Sequence, residues 1–247
     1  MVVSAREGTT TPLLAAECVS KSYAGRRVLS SATLRAVPGE LRVMFGRNGI
    51  GKSTLLKIAA GRVSPDNGTV HFAGRAYLSV HQAALAAQGL FYLPDHDLLS
   101  RAFTVRHQLT MLRAQFRCGD VALAAERVGI TAHLDKRPSA LSGGELRRAE
   151  LAAILVRQPK CLLADEPYRG IAPQDAEHIT DVLKDMARAG MAVVITGHEV
   201  PTLLHAADHI SWCTNGTTYE LGPPAVAVKH ERFVQEYLGQ VTRHTSA

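Results

Sequence analysis

Apolar residues along this chain follow two rhythms. Short strand-like runs rich in apolar and β-branched residues recur at 28–34, 41–45, 69–72, 90–93, 161–164, 193–196, 210–213 and 217–221. Pro38-Gly39 supplies the turn between the first two. Between 98 and 138 the rhythm becomes helical. Val105, Leu109, Leu112 and Phe116 step by four, three and four residues behind Thr104, which predicts a capped helix with one apolar stripe. Further helices are expected over 52–60 (closed by Gly61), 122–129 and 146–156. Another opens at Pro173, with Ile179, Val182, Leu183 and Met186 on one face and Gly190 as its stop. His205 and His209, four apart, read as ordinary helix residues rather than a metal pair, since no third ligand is evident. Strands flanking a helical insert give an α/β core with a smaller helical subdomain, roughly residues 95–157. No internal repeat or low-complexity segment interrupts it.

Composition narrows the class. The 247 residues make one large domain or two small ones, and 46% hydrophobic with 20% charged residues exclude a wholly disordered chain. Cys18, Cys118, Cys161 and Cys213 are scattered, so neither a disulfide framework nor a zinc knuckle is indicated. The formal charge of +6 fits an anionic ligand, an acidic partner surface or plain solubility. No apolar run approaches the ~20 residues of a membrane helix; the longest covers 151–156. Arg6 and Glu7 stand where a secretory signal places its apolar segment. The expectation is a soluble, intracellular protein that reaches a membrane only through a partner, with residues 1–12 and 241–247 flexible and one domain over 13–240.

Three motifs carry chemistry. Gly46-Arg47-Asn48-Gly49-Ile50-Gly51-Lys52-Ser53-Thr54 fits G-x-x-x-x-G-K-[ST] and lies between an expected strand and an expected helix, where that pattern must lie. Its glycines let backbone N–H groups wrap a phosphate chain, and the following helix adds its positive end. Lys52 places a charge at the β- and γ-phosphates, and the Ser53 hydroxyl is a Mg²⁺ ligand. The second motif, Lys160-Cys161-Leu162-Leu163-Ala164-Asp165-Glu166-Pro167, is an apolar strand ending in two acids. Beside a P-loop, Asp165 is expected to hold Mg²⁺ directly or through water, and Glu166 to polarise the attacking water. The third, Leu141-Ser142-Gly143-Gly144-Glu145, precedes the 146–156 helix. It reads both as a second anion cradle and as an S-x-x-E capping box, and the box can shape the cradle.

The order GRNGIGKST, LSGGE, CLLADEP and then a histidine after the 193–196 strand resembles the ATP-binding cassette family over about residues 13–240. The resemblance implies a P-loop NTPase core, a mixed sheet flanked by helices, with the helical subdomain and an N-terminal antiparallel β subdomain. It implies ATP and Mg²⁺ as cofactors. It also implies a head-to-tail homodimer, or a heterodimer with another such subunit, in which Ser142 and Gly144 of one copy reach the γ-phosphate held by the other. His198 matches the histidine that contacts the γ-phosphate in cis. Tyr23 matches the aromatic residue that stacks on adenine, a contact physically suited to a base. Two positions depart from the pattern: Asp95 stands for the usual glutamine, and Ala172 for an aspartate. Asp95 could still hold Mg²⁺ or water, although a carboxylate there repels phosphate oxygens; Ala172 removes a cross-dimer hydrogen-bonding side chain.

The function implied is an ATP-hydrolysing subunit that drives a separate transmembrane permease, peripheral on the inner face of the cell membrane. A groove beside Asp95, including Leu98, Leu99 and Phe103, is expected to receive a short helix of that permease; the same residues could instead pack inside the helical subdomain. The alternative is a soluble cassette protein acting on nucleic acid or the ribosome. Against it stand the lack of a long coiled coil, the single cassette and the modest charge. A nucleotide or small-molecule kinase shares the P-loop but gives no reason for LSGGE. The text DEPYRGIAP is similar to branched-chain amino-acid and lipopolysaccharide transport ATPases.

Overall fold

In the computed structural model, residues 11–77, 81–197 and 199–239 are described. Residues 1–10 of the expected flexible segment 1–12, the whole of 241–247, and His198 lie outside them. The continuous apolar runs have a direct explanation. Strands β3 (Leu41–Phe45), β7 (Cys161–Ala164) and β8 (Ala192–Gly197) are buried on both faces. Their side chains alternate between two cores. Val43, Phe45, Leu162, Ala164, Val193 and Ile195 face one cluster, while Met44, Cys161, Leu163, Ala192 and Val194 face the other.

A ten-stranded sheet organises the chain. Its parallel part runs through β9 (His209–Thr214), β3, β8, β7 and β6 (Leu90–Leu93). Its antiparallel part joins β1 (Leu14–Tyr23), β2 (Arg26–Ala36), β4 (Asn67–Phe72) and β5 (Arg75–Tyr77). The two meet through β10 (Thr217–Gly222), which pairs with β9 and touches β2 in parallel at Thr217–Ser31. Helix α1 (Lys52–Ala59) packs between the two parts. Helix α2 (Gln82–Gln88) precedes β6, while α3 (Val105–Phe116), α4 (Val121–Arg127) and α5 (Gly143–Arg157) fill the stretch between β6 and β7. Their apolar faces share a core with the sheet and with α6 (Pro173–Arg188), so the helical insert has no hydrophobic centre of its own. A short helix, α7 (Val200–Ala206), links β8 to β9.

Several expectations are redrawn by the structure. Helix α5 starts at Gly143, because Ser142 and Glu145 close a reciprocal capping box. β1 carried no expectation: Cys18 takes φ 50° and the register slips between Ala16 and Val19, a bulge that breaks the period-two pattern. His209 is no helix residue. It begins β9, because the Asp208 carboxylate accepts from the Leu41 N–H at 2.8 Å and the Asp208 N–H donates to the Leu41 carbonyl at 2.8 Å. Those bonds draw the chain out of α7 and into the sheet.

After β10 the chain returns to the back of the phosphate loop. Phe233, fully buried, stacks on Tyr237 at 5.5 Å and meets Phe45 and Trp212 at 5.8 and 5.7 Å. Arg47 donates to the Glu236 carbonyl at 3.3 Å. Phe233→Ala should therefore cost about 3–5 kcal/mol in urea unfolding; a loss under about 1 kcal/mol would mean that this cluster does not anchor the C-terminal segment.

Candidate functional site

Parallel register brings the motifs to one edge. Phe45 pairs with Gly197, Ala164 with Ile195, and Leu93 with Ala164, so the carboxyl ends of β3, β8, β7 and β6 lie side by side. The phosphate loop leaves β3 there. A Cβ at Gly46 would lie 2.6 Å from the Cys213 carbonyl oxygen. At Gly51, with φ +114°, it would lie 2.7 Å from Leu29, so only glycine permits this path. Lys52 is 4% exposed, and its ammonium donates to the Gly46 carbonyl at 2.8 Å and the Arg47 carbonyl at 3.2 Å. Burial lowers its pKa from the ordinary lysine value, while the charges of Glu166, Cys213 and Asp165 oppose that shift.

The centre of the site is the Asp165 carboxylate, 1% exposed. One oxygen accepts from Ser53 Oγ at 3.0 Å and Thr196 Oγ1 at 2.8 Å; the other accepts from the Tyr92 hydroxyl at 3.2 Å. Burial, followed by the charge and hydrogen bond of Asp165, raises the Tyr92 pKa well above the usual phenol value. Thr196 Oγ1 also accepts from the Glu166 N–H at 3.1 Å, and Glu166 sits in left-handed backbone at φ 46°, a costly conformation that recurs at functional sites. Ser53 and Asp165 form a pair of hard oxygen donors beside the loop, the donor chemistry that Mg²⁺ takes together with phosphate and water oxygens.

A cavity of about 590 Å³ opens on this cluster, lined by Tyr23, Asn48, Lys52, Ser53, Thr54, Glu166 and Arg169 with the loop glycines 49 and 51. Tyr23 is 44% exposed, with the Lys21 ammonium 5.7 Å from its ring centre. The side chains of Arg47 and Ile50 face a different hollow, beside Trp212 and Tyr237. Ser142, Gly143, Gly144 and Glu145 do not line the nucleotide-sized cavity. They stand at the start of α5, where the Ser142 N–H donates to Glu145 Oε2 at 2.7 Å. That bond, first among several, holds the Glu145 carboxyl below its ordinary pKa. A Cβ on Gly144 would run into the Asp175 carboxylate, and one on Gly143 would lie 3.1 Å from the Gly170 carbonyl oxygen. Ala172 caps α6 without a side-chain hydrogen bond.

Asp95 follows the end of β6 by two residues. Its carboxylate binds Arg169 Nη1 at 2.9 Å and His96 Nδ1 at 2.7 Å. Burial works to raise its pKa, yet the His96 hydrogen bond and the charges of His96 and Arg169 prevail and hold it below the ordinary value. The sequence reading missed Thr196, Tyr92 and Arg169. Thr196 ends the 193–196 run and Arg169 follows the acidic pair by three residues, so position alone could have flagged both.

The profile of the family described as ABC transporter matches residues 29–169. The chain belongs to this family. Several ABC ATP-binding proteins resemble it over most of their own lengths. The lipopolysaccharide export system ATP-binding protein LptB of Haemophilus influenzae is 31% identical over 92% of this chain and 98% of its own. The hemin import ATP-binding protein HmuV of Thermobifida fusca is 33% identical over 87% of this chain and 78% of its own. A solved ATP-binding cassette of an ABC transporter in its ADP conformation superposes with a TM-score of 0.80 at 22% identity, covering 93% of this chain and all of that one; the likeness is one of fold. The protein is thus an ABC ATP-binding subunit, and the transporter reading prevails over the nucleic-acid one. ABC ATP-binding domains are in general ATPases that dimerise and work with membrane permeases.

Beneath Asp95 lies a buried ion pair of α5. Arg147 binds Glu150 at 2.8 Å, the Pro94 carbonyl at 3.1 Å and the Asp95 carbonyl at 2.9 Å. Burial pushes the Glu150 carboxyl up to about 6, against the pull of Arg147. A pKa raised in the folded state means that its stability contribution is complete below the unfolded value of about 4.3 and is lost as pH rises through about 6. In urea unfolding, the stability of the native chain relative to Glu150→Gln should fall by about 2 kcal/mol between pH 4 and pH 7; parallel pH curves would refute this.

Proposed function

We propose that this subunit binds Mg²⁺–ATP in the cavity at the strand ends, hydrolyses it, and drives a separate permease through dimer closure. The observation that carries the reading is the cluster of Lys52, Ser53, Asp165 and Thr196 at one edge, beside a cavity that the Ser142–Gly144 turn does not line. A site split in this way is completed by the turn of a second subunit, a copy of this chain or another ABC ATP-binding subunit. The Gly143 and Gly144 N–H groups open α5 ahead of any backbone acceptor within the helix and suit a phosphate.

In the proposed mechanism Lys52 and the loop N–H groups stabilise charge on the β- and γ-phosphates. Ser53 and Asp165 would hold Mg²⁺, which neutralises phosphate charge when bound. Glu166, its backbone fixed by Thr196, orients the attacking water and takes its proton. His198 keeps the γ-phosphate contact that the family resemblance assigns to it, and Tyr23 offers its ring to the base.

The permease would dock in a cavity of about 440 Å³ lined by Leu98, Leu99, Phe103, Met111, Leu112 and Phe116 among others. Phe103 and Met111 are 49% and 57% exposed, an apolar surface that a short amphipathic helix would cover. Among the described residues no helix is long and apolar enough to cross a membrane, so anchoring to the inner face would rest on that contact. The named relatives serve lipopolysaccharide export and hemin import, so cargo selection belongs to the permease.

Glu166→Gln should lower ATP turnover by roughly 10²-fold or more while leaving nucleotide bound. The variant should elute as a dimer in ATP–Mg²⁺ and as a monomer without it; a monomer at saturating ATP–Mg²⁺ would contradict the split site.

A further inference from the structure

The nucleotide cavity contains a cation that neither the phosphate loop nor the Asp165–Glu166 motif calls for. Arg169 lines it together with Lys52, Ser53 and Glu166. A turn puts it there: the Arg169 N–H donates to the Glu166 carbonyl at 3.1 Å, which brings the chain back over the catalytic carboxylate. Its side chain is 61% exposed and is tethered to Asp95 by one 2.9 Å bond.

The two ends of that tether are unequal. Asp95 is fixed. Its side chain is 24% exposed, its second oxygen is on His96, and its backbone carbonyl is gripped by Arg147, itself 5% exposed and paired with Glu150. Arg169 is the movable end. A solvated pair between one arginine and one carboxylate is weak, whereas guanidinium binds phosphate through two parallel charge-assisted bonds and meets a larger negative charge. A phosphate arriving beside Ser53 and Glu166 therefore competes with Asp95 for Arg169. When Arg169 leaves, His96 stays as the partner of the Asp95 carboxylate.

We propose that Arg169 is a nucleotide-binding residue that leaves Asp95 for the terminal phosphate of a bound triphosphate, so that the Asp95–Arg169 pair is a latch opened by triphosphate and left closed by diphosphate. The inference rests on the ATP reading of the cavity and deepens it. Glu166 and Arg169 mark the end where the last phosphate lies, and a diphosphate held by Lys52 and the loop stops short of them.

The test is calorimetric titration, with Mg²⁺, of the β,γ-imido analogue of ATP and of ADP into the native chain, Arg169→Ala, Arg169→Lys and Asp95→Asn. Arg169→Ala should weaken the triphosphate analogue about tenfold and ADP less than about twofold. Arg169→Lys, a single point charge without the planar fork, should recover part of the loss. Asp95→Asn, which frees the guanidinium, should tighten the triphosphate analogue severalfold and leave ADP unchanged. Equal shifts for both nucleotides, or none, in Arg169→Ala would overturn the latch while leaving the ATP site intact. Failure of the native chain to bind either nucleotide would overturn the ATP reading and the latch with it.

Discussion

A carboxylate with almost no contact with water is tolerated in a fold only when its oxygens are hydrogen-bonded. Asp165 meets that condition with three hydroxyls from three elements: Ser53 of α1, Thr196 of β8 and Tyr92 of β6. The bonds hold only if β6, β7 and β8 run parallel in register and α1 begins where the phosphate loop ends. One buried acid thus ties the loop, the strand edge and the Glu166 turn into one geometry. Thr196 serves twice, donating to Asp165 and accepting from the Glu166 N–H, so the carboxylate proposed to orient water is positioned by the same hydroxyl that supports the one proposed to hold Mg²⁺.

The sheet was legible where burial is two-sided. Runs such as 161–164 and 193–195 are apolar at every position because their alternate residues enter different cores, and such runs stand out in any sequence. β1 hid because a bulge at Cys18 interrupts its alternation and its residues are small or polar. His209 misled because helical spacing is local, whereas the bonds between Asp208 and Leu41 span a distance in sequence that no window contains. The site divides in the same way. Glycine spacing and paired acids announce themselves. Thr196 and Tyr92 are single hydroxyls on ordinary strands, and only the register makes them partners of Asp165.

Ser142 shows why the third motif could be read in two ways at once. Its N–H and hydroxyl are both engaged with Glu145 inside one chain, which fixes the turn ahead of α5. The close approach of Asp175 and Gly170 explains the two glycines without any ligand, since a Cβ on either would press on a neighbour. Structural and functional demands therefore select the same residues. The capping box makes the helix entrance rigid, and rigidity is what a phosphate cradle requires, because donors already aimed need no reordering when the anion arrives.

The helical insert is joined to the nucleotide edge by one buried guanidinium. Arg147 projects from α5, the helix that begins at Ser142, and grips the Pro94 and Asp95 carbonyls at the end of β6. Glu150, one helical turn away, binds that guanidinium at 2.8 Å and holds it in place. A rigid helix transmits a displacement at one point along its whole length, so movement of the segment carrying Asp95 either carries the Ser142 turn with it or breaks the bonds from Arg147 to the Pro94 and Asp95 carbonyls, and a hydrogen bond to a charged group is worth about 1.5–3 kcal/mol. Concerted movement is the cheaper course. Leu98 and Leu99, which line the groove proposed for the permease, lie just beyond Asp95, so in the proposed reading a change beside the terminal phosphate reaches the Ser142 turn and that groove through one connected set of contacts.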